Sequence, residues 1–174
     1  MNDTQLSRRE FWIAGGAGAL LAGLAGHGSV QGAMREPKFE FIFHMEADLE
    51  PPLMVGATGK GTRLVYVAKG GTIEGPDLKG TVLPGPVDWL MQRDDGVAEL
   101  DVRASIRTDD GELIYTHYKG LSHNKTEDGS RYFITTPRFE TSAKKYSWLN
   151  NIVAVGVGSN PGPNKVAYDV FKIS

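Results

Sequence analysis

The sequence predicts an all-β protein, an antiparallel β-barrel forming a single domain after an N-terminal signal, and three observations lead there. Residues 39–49 and 97–108 alternate apolar and polar side chains at period two, as strands with one buried face do. Asp94-Asp95-Gly96 and Asp109-Asp110-Gly111 flank the second stretch as hairpin turns, because glycine readily takes the positive φ that tight hairpins need. Helical signal is sparse, and only 137–150, where Glu140 and Lys144 stand four apart, offers a candidate helix.

The chain starts with an address. Ser7-Arg8-Arg9-Glu10-Phe11-Trp12 precedes an uncharged run from Ile13 to Gly26 and small residues up to Ala33, the layout of a twin-arginine signal peptide over 1–33. The uncharged run is too short for the ~20 residues that span a bilayer. The expectation is a β-barrel domain over 37–174 in the periplasm or outside the cell, with no membrane attachment once the signal is removed.

The first strand carries Phe39, Phe41, Phe43, Met45, Ala47 and Leu49 on one face and Glu40, Ile42, His44, Glu46 and Asp48 on the other. Further strands are expected at 63–68, 71–74, 87–93, 97–108, 112–120, 131–136, 152–158 and 166–173, all rich in β-branched or aromatic residues. About nine short strands joined by short turns suit a sandwich or a barrel, and closing the barrel removes exposed strand edges. Glycines 70, 71, 75, 80 and 85 mark bulges or bends where strands coil to close. In 97–108 the polar row Glu99, Asp101, Arg103, Ser105 and Arg107 opposes an apolar row. Either the polar row is a solvated outer surface, or it points inward and the apolar row needs a partner subunit, which makes a homo-oligomer.

Charge and composition exclude several classes. Nineteen basic against 21 acidic residues, net −2, offer no field for nucleic acid and no polybasic membrane patch. The absence of cysteine removes disulfides, thiolate nucleophiles, iron–sulfur clusters and Cys-ligated zinc. Gly56-Ala57-Thr58-Gly59-Lys60-Gly61-Thr62 fails as a phosphate loop, since Met54 stands where the first glycine belongs and Gly61 follows the lysine. His44, Glu46 and Asp48, with His117 or His123, could hold a divalent ion, but a solvated strand face produces the same string, and no metal or cofactor is expected.

The strongest local signature runs from Gly70 to Trp89, GGTIEGPDLKGTVLPGPVDW. Together with Asp94-Asp95-Gly96-Val97, Leu100-Asp101-Val102-Arg103, Pro137-Arg138-Phe139-Glu140-Thr141 and Tyr146-Ser147-Trp148-Leu149-Asn150 it resembles the small bacterial barrel proteins of the domain of unknown function 3237 family, also called uncharacterised protein family 0311. The resemblance covers 37–174 and implies a barrel similar to the allene-oxide-cyclase and dirigent type. It names no reaction.

A barrel of about eight strands can enclose one small ligand. The motifs supply groups for it: Asp88 or Glu140 as a general base whose pKa burial raises, and Arg103 or Tyr115 to stabilise an enolate or phenolate oxygen. Glu74, Trp89, Asp101, Tyr146, Trp148 and Asn150 are the candidate ligand-binding residues. Three functions remain open. A metal-independent lyase, isomerase or cyclase acting on a hydrophobic or aromatic small molecule requires Asp88, Arg103 and Glu140 to converge in a closed cavity. A non-catalytic periplasmic binding protein requires an apolar pocket without paired acid and base. A structural or interaction module requires a filled interior.

Overall fold

The structure, a computed structural model, describes residues 36–124 and 131–174, and the expected signal at 1–33 lies outside them. The strands are β1 (Phe39–Leu49), β2 (Leu53–Thr58), β3 (Gly61–Glu74), β4 (Gly80–Val82), β5 (Val87–Asp88), β6 (Met91–Gln92), β7 (Ala98–Thr108), β8 (Leu113–His123), β9 (Tyr132–Glu140), β10 (Val153–Ser159) and β11 (Lys165–Ile173). A 3-10 helix, Lys144–Asn151, sits between β9 and β10.

These strands close into an antiparallel barrel of eight staves. β1 pairs with β11 on one side and with the second half of β3 on the other, which joins the two ends of the sheet. β2 continues the stave of β1 along the first half of β3, after Pro51-Pro52, which have no N–H to donate, interrupt the ladder. The short strands β4, β5 and β6 share one stave between β3 and β7. Each stave therefore neighbours the next in sequence, and closure leaves the meander without a long open edge.

Four details differ from the sequence expectations. First, the alternation of β1 breaks at a bulge between Phe41 and Phe43. Phe43, Met45 and Ala47 face inward with Ile42, which is 3% exposed, while Phe39 and Phe41 turn outward at 60% and 40% exposed. The extra residue shifts the face that the strand presents. Second, 61–74 is one strand rather than two. Its Gly71 lies so close to β1 that a Cβ there would stand 2.1 Å from the Glu46 carbonyl oxygen. Third, β9 runs on through Pro137 to Glu140, and the helix begins only at Lys144. Pro137 is tolerated because the β9–β10 ladder covers only Ile134 and Thr135 and ends before it. Fourth, β2 and β4 were not expected as strands.

The two hairpins of the β6–β7–β8 meander form as expected, with Gly96 and Gly111 at φ 87° and 91°. In β7 the apolar row Leu100, Val102, Ala104 and Ile106 is buried inside the barrel, and Glu99, Arg103 and Arg107 face solvent. The barrel itself covers the apolar row.

The interior has two halves. At one end Ile73, Leu78, Ile106, Ile114 and Leu149 are fully buried and the 3-10 helix plugs the opening with Tyr146 and Leu149. The plug is tied to the β7–β8 turn through Asp110, which accepts hydrogen bonds from Lys145 Nζ at 2.6 Å, Tyr146 Oη at 2.9 Å and Thr108 Oγ1 at 2.5 Å. These donors hold the Asp110 carboxyl well below the usual carboxylate range. The other end is hollow.

Candidate functional site

The hollow is a cavity of about 440 Å³ opening toward the β10–β11 turn. Inward alternation builds its apolar wall from Met45 and Ala47 of β1 and from Leu100, Val102 and Ala104 of β7. The polar groups among its described lining residues are Asp88, Tyr66, Tyr118, Tyr168, Ser122 and Arg131, with Asn160, Asn164 and Lys165 where the β10–β11 turn meets it. A mostly apolar chamber with a small polar set is the usual form of a small-molecule site.

Asp88 is placed by β5, two residues wedged between β3 and β7 and paired with Tyr66 and Val102. Its Oδ1 accepts a hydrogen bond from the Asp101 N–H at 3.1 Å. Removal from water pushes its pKa up from 3.8 to about 6; the Asp101 N–H opposes that shift, the Asp101 charge adds to it, and Arg63 opposes it. Near neutral pH this carboxyl populates both protonation states.

Tyr118 of β8 and Tyr168 of β11 are buried and packed edge to face, ring centroids 5.5 Å apart. Burial pushes both phenols well above their ordinary value, and the Asp88 charge acts in the same direction. They stay neutral and can donate a hydrogen bond to a ligand oxygen. At the mouth, Arg131 donates from Nε to Ser122 Oγ at 2.7 Å and from Nη1 to Asn160 Oδ1 at 2.8 Å. Its guanidinium carbon stands 5.5 Å from the centre of the Phe133 ring.

Of the four residues expected to be catalytic, the structure brings only Asp88 to this cavity. Arg103 lies on the outer face of β7, its Nη1 3.0 Å from Asp101 Oδ1, both side chains solvated. Glu140 is exposed on β9, opposite Tyr115, which lies half-exposed on the outer face of β8 stacked on His117 at 5.8 Å. The reason is parity, since residues 99 to 107 that share Arg103's face cannot turn inward while Leu100 and Val102 fill the barrel.

The expected ligand-binding residues are also dispersed. Glu74 is exposed and pairs with Lys79 at 3.0 Å. Trp89, 50% exposed, and Asp101 line a groove on the outer wall with Leu121 and Tyr132. Tyr146 belongs to the plug, Trp148 packs against the core beneath Lys172, 5.8 Å from its ring centre, and Asn150 bridges the Thr141 N–H and carbonyl at 2.8 and 2.9 Å. His44 lies 2.7 Å from Asp169, and Glu46 and Asp48 both hold Lys165, at 2.6 and 3.0 Å.

Sequence reasoning missed Tyr66, Tyr118, Tyr168, Ser122 and Arg131. A signal for three of them was present: Tyr118 and Ser122 share parity with the apolar Ile114 of β8. Tyr168 likewise shares parity with Val166 and Val170 of β11.

The family model described as protein of unknown function, DUF3237, matches residues 37–173. A UPF0311 protein of Clostridium acetobutylicum is 31% identical over 154 residues, 81% of this chain and 97% of that protein. The crystal structure of a β-barrel-like protein from Acinetobacter baumannii is similar with a TM-score of 0.77 at 36% identity, covering 83% of this chain and 100% of the other. A protein named a hydroalkoxylation enzyme, from Penicillium herquei, is 30% identical over 125 residues, 71% of this chain and 76% of that enzyme.

Proposed function

The chain belongs to the DUF3237 family of barrel proteins, and from that premise and the cavity we propose that it is an exported, metal-independent lyase, isomerase or cyclase acting on a hydrophobic or aromatic small molecule. The observation that carries this reading is Asp88, a carboxyl in an apolar chamber with its pKa raised to about 6. A general acid–base works best with a pKa near the operating pH. The relative's printed activity supports the same chemistry. Hydroalkoxylation adds a hydroxyl across a carbon–carbon double bond, so one proton leaves oxygen, a C–O bond forms, and one proton reaches carbon. In this chain the Asp88 carboxylate takes the hydroxyl proton and the resulting acid returns it to carbon, with no net change in the carboxyl. The phenols of Tyr118 and Tyr168 are the donors available to an oxyanion that develops on the substrate. Elimination runs the same steps in reverse, and isomerisation moves the proton alone.

A second reading, a binding protein without catalysis, is favoured by one observation: Arg103 and Glu140 lie outside, so among the described residues lining the cavity Asp88 has no second carboxyl beside it. One experiment separates the two. Native mass spectrometry of the purified protein identifies the small molecule that travels with it, and that molecule is then incubated with the wild type and with Asp88→Asn. Turnover by the wild type that the variant loses, with binding retained, supports the enzyme. Binding without turnover in both supports the carrier.

A further inference from the structure

Arg131 gives the cavity a direction. Its guanidinium is held on three sides, by the hydroxyl of Ser122, by the side-chain carbonyl of Asn160 from the β10–β11 turn, and by the ring of Phe133. Ser122 is 2% exposed and points inward from β8, while Arg131 itself is exposed, so this anchor holds the guanidinium at the rim of the barrel. Both acceptors are neutral oxygens, which orient the fork without neutralising its charge. Asp88 stands elsewhere in the same chamber, and Tyr168 is within electrostatic reach of both: burial and Asp88 raise its pKa, and Arg131 lowers it. The chamber thus has the Arg131 cation at its mouth, where the neighbouring Lys165 is already paired with Glu46 and Asp48, and a proton-exchanging carboxyl within a mostly apolar wall.

We propose that the ligand is an aromatic or alicyclic carboxylate, its apolar body in the barrel and its carboxylate paired with Arg131 at the mouth. Arg131 is then the residue that sets specificity, a planar fork matched to a planar anion. This rests on the reading of the cavity as a ligand site and deepens it by naming the substrate class.

The test uses two probes of one shape, 2-naphthoate and the neutral 2-naphthamide, titrated calorimetrically at about pH 5, where Asp88 is mostly protonated and the carboxylate probe stays ionised. The wild type is expected to bind 2-naphthoate at least about tenfold more tightly than 2-naphthamide. Arg131→Gln removes that preference by weakening the naphthoate alone, and Arg131→Lys, which keeps the charge and loses the fork, recovers part of it. Equal affinities in the wild type, or a preference that survives Arg131→Gln, overturns the proposal and leaves the cavity's role intact. Failure of both probes to bind the folded wild type overturns the proposal together with the ligand cavity on which it rests.

Discussion

Asp88 and Asp101 meet through the barrel wall: the Asp101 backbone N–H donates to Asp88 Oδ1 at 3.1 Å, while the Asp101 side chain faces the other way and pairs with Arg103. One residue thus serves both faces of β7. Its amide steadies the inner carboxyl, and its carboxylate belongs to the solvated surface. The chemistry of the cavity depends on that separation, since an inward Arg103 would hold Asp88 ionised and lower its pKa.

Asp88→Asn should be more stable than the wild type at pH 8 and equal to it near pH 4. The folded pKa of Asp88, about 6, lies above its unfolded value of 3.8. Its contribution is therefore fully present below pH 4 and is lost as pH rises through 6, at a cost on the order of 2–3 kcal/mol. Thermal unfolding of both proteins from pH 4 to 8 checks this. Parallel curves would contradict it.

Tyr118→Phe removes a donor from the cavity and leaves the ring packed on Tyr168. Stability should change by about 1 kcal/mol or less, while turnover of the co-purifying molecule falls about tenfold or more. Steady-state kinetics beside a urea titration separate the two effects.

At the plugged end the expectations reverse. Tyr146→Phe loses the bond to Asp110, 2.9 Å in the wild type, at a cost of about 1 kcal/mol, and Leu149→Ala, at a fully buried site, costs about 2–5 kcal/mol. Ligand affinity measured on the protein that remains folded should stay unchanged, because neither residue lines the cavity.

Arg103→Ala and Glu140→Gln should leave turnover within about twofold and stability within about 1 kcal/mol, the range of exposed ion pairs and solvated carboxylates. A large kinetic loss in either would mean that the outer face takes part in the reaction.

Most of the barrel was legible in the sequence because period-two alternation is a local signal. Phe43 to Leu49 and Leu100 to Ile106 take the positions their patterns require. The bulge at Ile42 was not legible, since an inserted residue in a strand that is apolar at 41, 42 and 43 leaves no mark on composition. Asp88 was found from the motif around it. The rest of the polar set was hidden because it depends on which parity faces inward. Tyr118 and Tyr168 stand fifty residues apart in sequence and touch only when the staves close. Arg103 and Glu140 were attractive as charges in a motif, but charge alone does not tell the inner row from the outer.

The account rests on Asp88 being held away from water in an apolar barrel, and its own titration tests that most directly. With ¹³C-labelled aspartate and Asp88→Asn to assign the signal, the carboxyl resonance of Asp88 should titrate with a midpoint near pH 6. A midpoint near 4, the ordinary value for an aspartate in water, would contradict the account.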